Sequence, residues 1–208
     1  MTPAPLLWFG VVAVVELIAV AADWAALQWI AKPLLAPLLI AYLVQRGAAS
    51  RAVVVALVFA TAGDIALLVP GRPAFLIGMV FFLGTQISLI VAFARRPVAG
   101  AAFAVYGLLW LGVNALLWGQ LGALRIPVLF YSLALTVMAA TAAGVSRTVA
   151  VGGAFFLVSD LLIGVGAAGT RAPAHDILVM STYCAALALI ATGWSRLRAR
   201  TGVLSARP

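Results

Sequence analysis

Eight runs of apolar residues, each about long enough to cross a lipid bilayer, follow one another with short polar breaks. A helix needs about 20 apolar residues to cross the hydrocarbon core. The chain is 66% hydrophobic and 9% charged, whereas a soluble domain is about 45–50% apolar. The sequence therefore predicts an all-α, polytopic transmembrane helix bundle. The predicted spans are 5–22, 29–45, 52–69, 74–94, 98–118, 125–143, 149–168 and 174–194.

These spans are expected to form a single transmembrane domain, residues 1–195, followed by a basic tail, residues 196–208. The second span is the least regular, because Lys32, Pro33 and Pro37 interrupt its apolar run. A proline inside a helix removes one backbone hydrogen bond. We therefore expect this span to be short or kinked.

The arginines and the single lysine predict the orientation. Nine of them fall on the side that holds both termini and four on the other. Because cytoplasmic loops are enriched in Lys and Arg, both termini and the tail are predicted to be cytoplasmic. The chain is expected to be a multi-pass protein, with the bacterial cytoplasmic (inner) membrane as its location. Topology and anionic headgroups explain the net charge of +8, so we expect membrane lipids and no nucleic acid as partners.

Histidine and cysteine are too few for several kinds of site. The chain has one of each, His175 and Cys184, so it can form neither an internal disulfide nor a zinc site of the usual His/Cys type. It also has no Gly-rich phosphate loop and no recognisable Ser-His-Asp set. We therefore predict no metal and no cofactor.

Two aspartates lie inside apolar runs, Asp64 in "FATAGDIALL" and Asp160 in "FLVSDLL". A charge at the bilayer centre costs at least about 2.5–3.5 kcal/mol, so each needs a functional or structural reason. Asp64 follows Arg51 by 13 residues and Asp160 follows Arg147 by the same distance, about 20 Å along a helix. Their spans run in the same direction, so the two carboxylates are expected at one depth, as a four-plus-four internal repeat would also give.

Two carboxylates at one depth in a cavity of low dielectric should not both ionise readily. Such a pair can supply one acid that donates a proton and one carboxylate that accepts one, as hydrolytic sites require. The alternative is that each aspartate only caps a neighbouring helix or supports packing. Other polar groups are expected to join the pair in a pocket that opens toward the outer leaflet and to bind substrate there. They are Glu16, Lys32, Gln86, Asn114, Tyr131 and Ser159.

The residues around the aspartates resemble a known family. "GDIALLVPGRPAFLIGMVFFLGTQISLIVAF", "GAFFLVSDLLIGV", "AKPLLAP" and "PVLFYSLALTVMAATA" are similar to segments of the YhhN-like family, which includes the animal lysoplasmalogenases. The resemblance implies a hydrolase acting on ether bonds, which cleaves the vinyl ether of a lysoplasmalogen to a fatty aldehyde and a glycerophospho-alcohol. It carries the paired catalytic aspartates onto Asp64 and Asp160, the family's lysine onto Lys32 and its tyrosine onto Tyr131.

The chain departs from the family pattern at two places. Gln86 and Leu89 stand where a histidine and a tyrosine are common, and Ala185 and Ala186 stand in place of an Ala-Gln pair. A glutamine forms hydrogen bonds but carries no proton at neutral pH. Two alternative functions use the same features: a transporter or proton-coupled carrier built on the intramembrane aspartates, and a non-catalytic lipid-binding relative. The sequence leaves the oligomeric state open.

Overall fold

The computed structural model describes residues 3–98 and 100–205, with side chains up to residue 199. Its regular structure within these ranges is entirely helical. Eight segments are long and apolar enough to cross a membrane, which confirms the predicted all-α polytopic bundle. The helices are α1 Ala4–Ala21, α2 Ala25–Ala31, α3 Leu35–Gln45, α4 Arg51–Leu68, α5 Arg72–Phe93, α6 Gly100–Leu117, α7 Arg125–Ala142, α8 Arg147–Ala167 and α9 His175–Ser205.

The second span consists of α2 and α3 joined by one 3-10 turn, Lys32–Leu34. Pro33 has no N–H, so the α-helical bond to the carbonyl four residues earlier cannot form there, and the chain tightens locally. The whole span covers Ala25–Gln45. It therefore begins before the predicted residue 29, and its interruption lies at the Lys-Pro pair that made it irregular in the sequence.

The last helix extends into the predicted basic tail. Helix α9 continues without a break to Ser205, so Arg196 and Arg198 lie on the last helix and not on a separate segment. Arg, Leu and Ala follow one another here, and these residues favour a helix. Residues 206–208, including Arg207 of the predicted tail, lie outside the described residues.

Most of the helices form a closed ring. Around it, each helix packs on the next in the order α1, α3, α4, α5, α7, α8, α9 and back to α1. Helix α6 stands outside the ring and packs mainly against α7; of its residues only Asn114 is buried. Because the ring excludes lipid from its interior, polar side chains can be placed there at membrane depth.

The outer surface of the bundle is apolar. Val80, Leu108 and Leu116 are 67%, 71% and 78% exposed, as expected of side chains that contact lipid. An even number of spans places both termini on the same side of the membrane. Which side is cytoplasmic remains a prediction from the basic residues.

Helices α4 and α8 begin in the same way. Ser50 accepts a hydrogen bond from the backbone N–H of Val53, and Ser146 accepts one from Val149. Each serine is an N-cap that satisfies an otherwise unpaired donor of the first turn. An arginine follows each serine, and each helix then reaches its aspartate after the same number of residues. The equal start places the two aspartates at equivalent positions along their helices.

Glycines allow α8 and α9 to approach closely. A Cβ added to Gly152 would lie 3.0 Å from the backbone nitrogen of Ile190 and 3.1 Å from the carbonyl oxygen of Ala186. Backbone atoms cannot move aside as a flexible side chain can. Close packing of small residues is a main source of helix association in lipid.

We predict that Gly152→Ala destabilises the bundle by about 1–3 kcal/mol, because the added methyl group overpacks the α8–α9 contact. The thermal unfolding midpoint in detergent should fall. Gly112→Ala is the matched control, since nothing lies within 4 Å of a Cβ at Gly112, and it should leave the midpoint unchanged or raise it. A fall of the same size in both variants would contradict this explanation.

Candidate functional site

Both aspartates lie inside the ring. Asp64 on α4 is 1% exposed and Asp160 on α8 is 8% exposed. The electrostatic effect of Asp64 reaches Asp160. The structure therefore brings together the two acids that the sequence paired only by their spacing.

Asp160 is held by two donors from neighbouring helices. The hydroxyl of Tyr131 on α7 donates a short hydrogen bond to Oδ2 of Asp160. Nε2 of Gln86 on α5 donates to the same oxygen over 3.3 Å. Gln86 is fully buried, and its own Oε1 has no hydrogen-bond partner in the described part of the chain. Two donors on one oxygen stabilise a negative charge there and fix the direction of the carboxylate.

Asp64 has a different partner. The hydroxyl of Tyr183 on α9 donates to Oδ2 of Asp64 over 2.7 Å. The sequence analysis did not include Tyr183 among the predicted site residues. The sequence feature that could have identified Tyr183 is its spacing from the aspartate. Tyr183 follows Asp160 by nearly the same number of residues as Gln86 follows Asp64.

The neighbouring helices α4 and α5 form one pair and α8 and α9 form another, and the two pairs are joined by hydrogen bonds across the ring. Gln86 on α5 binds the aspartate of α8, and Tyr183 on α9 binds the aspartate of α4. The second helix of each pair thus supports the acid of the other pair. Phe82 and Phe156 pack edge-on against each other and against the Tyr183 ring. These aromatic contacts exclude water from the hydrogen bonds between the two pairs and fix the orientation of the Tyr183 ring.

A second charged group lies beside Asp64. Glu16 on α1 is fully buried, and neither of its carboxylate oxygens has a hydrogen-bond partner among the described residues. Lys32 is half-buried in the 3-10 turn, and its charge acts on both Glu16 and Asp64. Within the described residues it forms no ion pair at 4.0 Å or less. Glu16, Lys32 and Asp64 therefore form a group linked by charge and not by direct contact.

A cavity of about 90 Å³ lies between α5, α6, α7 and α8, in the half of the bundle opposite the termini. Asp160, Tyr131 and Asn114 are among its polar wall residues. The rest of the wall is mostly apolar and includes Met79, Leu109, Leu135 and Leu161.

This cavity corrects the predicted polar pocket, because only three of the eight predicted site residues line it. Asp64, Glu16, Lys32, Gln86 and Ser159 do not. Most of the cavity wall comes from α5, α6, α7 and α8, whereas Glu16, Lys32 and Asp64 lie on other elements. Gln86 and Ser159 lie on cavity-lining helices, but their side chains bond Asp160 and Val179.

Ser159 belongs to the packing between two helices. Its hydroxyl donates to the carbonyl of Val179 on α9 over 3.0 Å, and it is 1% exposed. The predicted substrate-binding role therefore does not fit its position. A serine next to an intramembrane aspartate suggested a site residue, but a hydroxyl also satisfies a neighbouring helix in lipid.

Asn114 ties α6 to α7. Its Nδ2 donates to Oγ of Ser132 over 3.2 Å, and Nε1 of Trp110 donates to the same oxygen over 3.0 Å. Both α6 side chains face the cavity. The outer helix is thus joined to the ring by a small polar cluster at the cavity wall.

The arrangement suits proton transfer. A carboxylate at the cavity wall is oriented by two donors, and a second buried carboxyl, which does not line the cavity, acts on it electrostatically. In the described part of the chain, no three His, Cys, Asp or Glu side chains are grouped so that they could hold a metal ion. The chemistry that these residues themselves can perform is that of acid and base.

We predict that Tyr183→Phe lowers the free energy of unfolding by about 1–3 kcal/mol, because Asp64 loses its hydrogen-bond partner while remaining buried. The thermal midpoint in detergent measures the loss. The loss should shrink when Asp64→Asn is also present, since the neutral amide needs less stabilisation. Tyr106→Phe is the control, because the Tyr106 hydroxyl makes no hydrogen bond with a described residue. Equal losses with and without Asp64→Asn would show that the hydroxyl acts elsewhere.

Comparison with known proteins identifies the family. The model of the YhhN family matches residues 27–194, a segment that runs from α2 into α9 and contains both aspartates and both of their tyrosine partners. No curated protein and no solved structure is similar enough to the chain to count as a match. Because the family model covers most of the sequence, the chain belongs to the YhhN family.

Proposed function

We propose that this protein is a membrane-embedded hydrolase that cleaves the vinyl-ether bond of a lysoplasmalogen, giving a fatty aldehyde and a glycerophospho-alcohol. The observation that carries the proposal is the pair of buried, interacting carboxyls, one of which borders an apolar cavity. Family membership supports the fold and the positions of the two acids. The choice of a vinyl-ether substrate follows from the family resemblance, and the chemistry of the pair is compatible with it.

The cavity supports an amphiphilic substrate. Its wall is largely apolar, which suits a hydrocarbon chain. Its polar residues are concentrated near Asp160 and Asn114, where a glycerol oxygen could be bound. At about 90 Å³ the cavity holds only the part of a chain next to the ether. The remainder of the chain would extend past α6, the helix that stands outside the ring and packs mainly against α7.

The reaction requires four proton transfers, two to form a hemiacetal and two to break it down. A carboxylic acid gives its proton to the outer carbon of the C=C–O group, which leaves an oxocarbenium ion. The carboxylate that this transfer leaves takes a proton from water as the water oxygen bonds to the cationic carbon. In the resulting hemiacetal the carboxyl returns that proton to the glycerol oxygen, which leaves as the alcohol. It takes up the hydroxyl proton as the fatty chain leaves as the aldehyde, so it ends the cycle protonated. A carboxyl at the cavity wall whose proton is shared with a second carboxyl can perform these transfers.

The two aspartates have different roles in this proposal. Asp160 borders the cavity and would contact the reacting atoms, oriented by Tyr131 and Gln86. Asp64 lies behind it, bound by Tyr183 and near the charge of Lys32. We infer that Asp64 sets the charge state of Asp160 and exchanges protons with it during the cycle.

We predict that Asp64→Asn and Asp160→Asn each lower aldehyde release by about 100-fold or more, because each removes one of the two groups that transfer protons. The substrate is a 1-alkenyl lysophospholipid in detergent micelles, and aldehyde is measured through a coupled alcohol dehydrogenase. Asp176→Asn is the control, since Asp176 is exposed and paired with Arg171. Size-exclusion profiles and thermal midpoints verify that all variants are folded.

Two outcomes would contradict the proposal. Wild-type protein that releases no aldehyde from vinyl-ether lysolipids is not a lysoplasmalogenase. Equal cleavage of the saturated alkyl-ether analogue would contradict the mechanism, because that substrate has no double bond to protonate. Proton-linked uptake into liposomes that is lost with the same two variants would identify a carrier.

A further inference from the structure

A second concave surface lies at the end of the bundle that carries the termini. It is a groove of about 560 Å³ between the start of α4, the end of α5 and the C-terminal part of α9. The cavity that borders Asp160 lies in the opposite half and shares no residue with it. This groove has no part in the proposed reaction.

The groove is basic. Arg51, Arg95 and Arg198 line it, one from each of three helical regions, and none of the five acidic side chains of the chain does. Arg51 and Arg95 are exposed and form no ion pair with any described residue. The groove therefore carries positive charge that these residues do not neutralise, and an anion is its complementary ligand.

One side of the groove has a fixed shape. The guanidinium of Arg198 lies 5.2 Å from the ring centre of Trp194. Trp194 is 5% exposed, and its Nε1 donates to the carbonyl of Ala48 over 3.2 Å. The buried indole thus holds the arginine over its face. A preorganised arginine loses less conformational freedom on binding than a free one.

Apart from Ser50 and Ser88, the rest of the wall is apolar and continues toward the lipid-facing surface. Val55, Ile87 and Val91 line the groove and are 39%, 51% and 58% exposed. A small inorganic anion would satisfy the arginines and leave this surface unused. A zwitterionic lipid brings its own cation into a region that is already basic. A lipid with a net negative phosphate headgroup fits both the charge and the apolar wall.

We propose that this groove is a binding site for an anionic phospholipid. The headgroup phosphate is held by Arg51 and Arg95, with Arg198 at the third side, and one acyl chain lies along Val55, Ile87 and Val91. The enrichment of arginine at one membrane face predicts general attraction of anionic lipid. The groove is more specific than this general attraction, because it binds the headgroup through Arg51 and Arg95 and not through the other arginines at the same end of the bundle.

The chain contains matched controls for this test. Arg96 is adjacent to Arg95 but does not line the groove. Arg147 begins α8 after a capping serine, as Arg51 begins α4, and it also lies outside the groove. The double variants Arg51→Gln/Arg95→Gln and Arg96→Gln/Arg147→Gln therefore remove the same charge from the same end of the bundle.

The experiment measures binding of dioleoyl-phosphatidylglycerol to full-length, delipidated protein in detergent by native mass spectrometry and by the thermal shift. Dioleoyl-phosphatidylcholine and inorganic phosphate are the comparison ligands. Wild type and Arg96→Gln/Arg147→Gln should bind phosphatidylglycerol equally and in preference to both comparison ligands. Arg51→Gln/Arg95→Gln should bind it at least tenfold more weakly.

A third variant tests the chain-binding wall without changing charge. Val91→Trp fills the groove and should weaken phosphatidylglycerol binding, while a free phosphate site would be unaffected. Equal weakening in both arginine double variants would overturn the proposal, because general charge would then explain the binding. Binding of phosphatidylcholine or inorganic phosphate as tight as that of phosphatidylglycerol would also overturn it.

Discussion

The high free energy of a charge in hydrocarbon is the constraint on which the rest of the structure depends. An isolated helix carrying Asp64 or Asp160 would expose a carboxyl to lipid, at a cost of several kcal/mol. The ring from α1 to α9 removes that exposure, and it supplies donors that a single helix cannot. Tyr131 and Gln86 reach Asp160 from two different helices, and Tyr183 reaches Asp64 from a third. Closure of the bundle and assembly of the site are therefore one event.

The fold was largely predictable because a membrane span has a simple signal. Each of the eight predicted runs contains a helical segment of the structure, since length and hydropathy alone decide which segments can cross a bilayer. The boundaries were less predictable where local and tertiary effects compete. The second span starts at Ala25 because Gln28, the polar residue of α2, is placed in a helix ahead of the proline break and bonds the carbonyl of Ala19. The basic segment after residue 195 continues α9 because charge does not itself end a helix.

The site was predictable in part. The equal spacing from Arg51 to Asp64 and from Arg147 to Asp160 indicated one depth, because depth follows from position along a helix. Hydropathy does not determine the order of the helices around the ring, so the neighbours of each acid could not be predicted from the sequence. Ser159 was placed with the site by its adjacency to Asp160, yet it bonds Val179 on the next helix. Tyr183 was not placed among the site residues because tyrosines in membrane helices commonly pack or lie at the interface, and its partner is 119 residues away in the chain.

Gln86 departs from the family pattern, but its contacts in the fold limit how much this departure changes the site. A histidine at this position could donate a hydrogen bond and also carry a proton, whereas the glutamine amide only donates and accepts. The structure uses the donor, because Nε2 binds Asp160, and leaves Oε1 without a partner among the described residues. Orientation of Asp160 is therefore retained without the proton-carrying group. Any proton that leaves Asp160 must then pass to water, to substrate or toward Asp64, which increases the importance of the second acid.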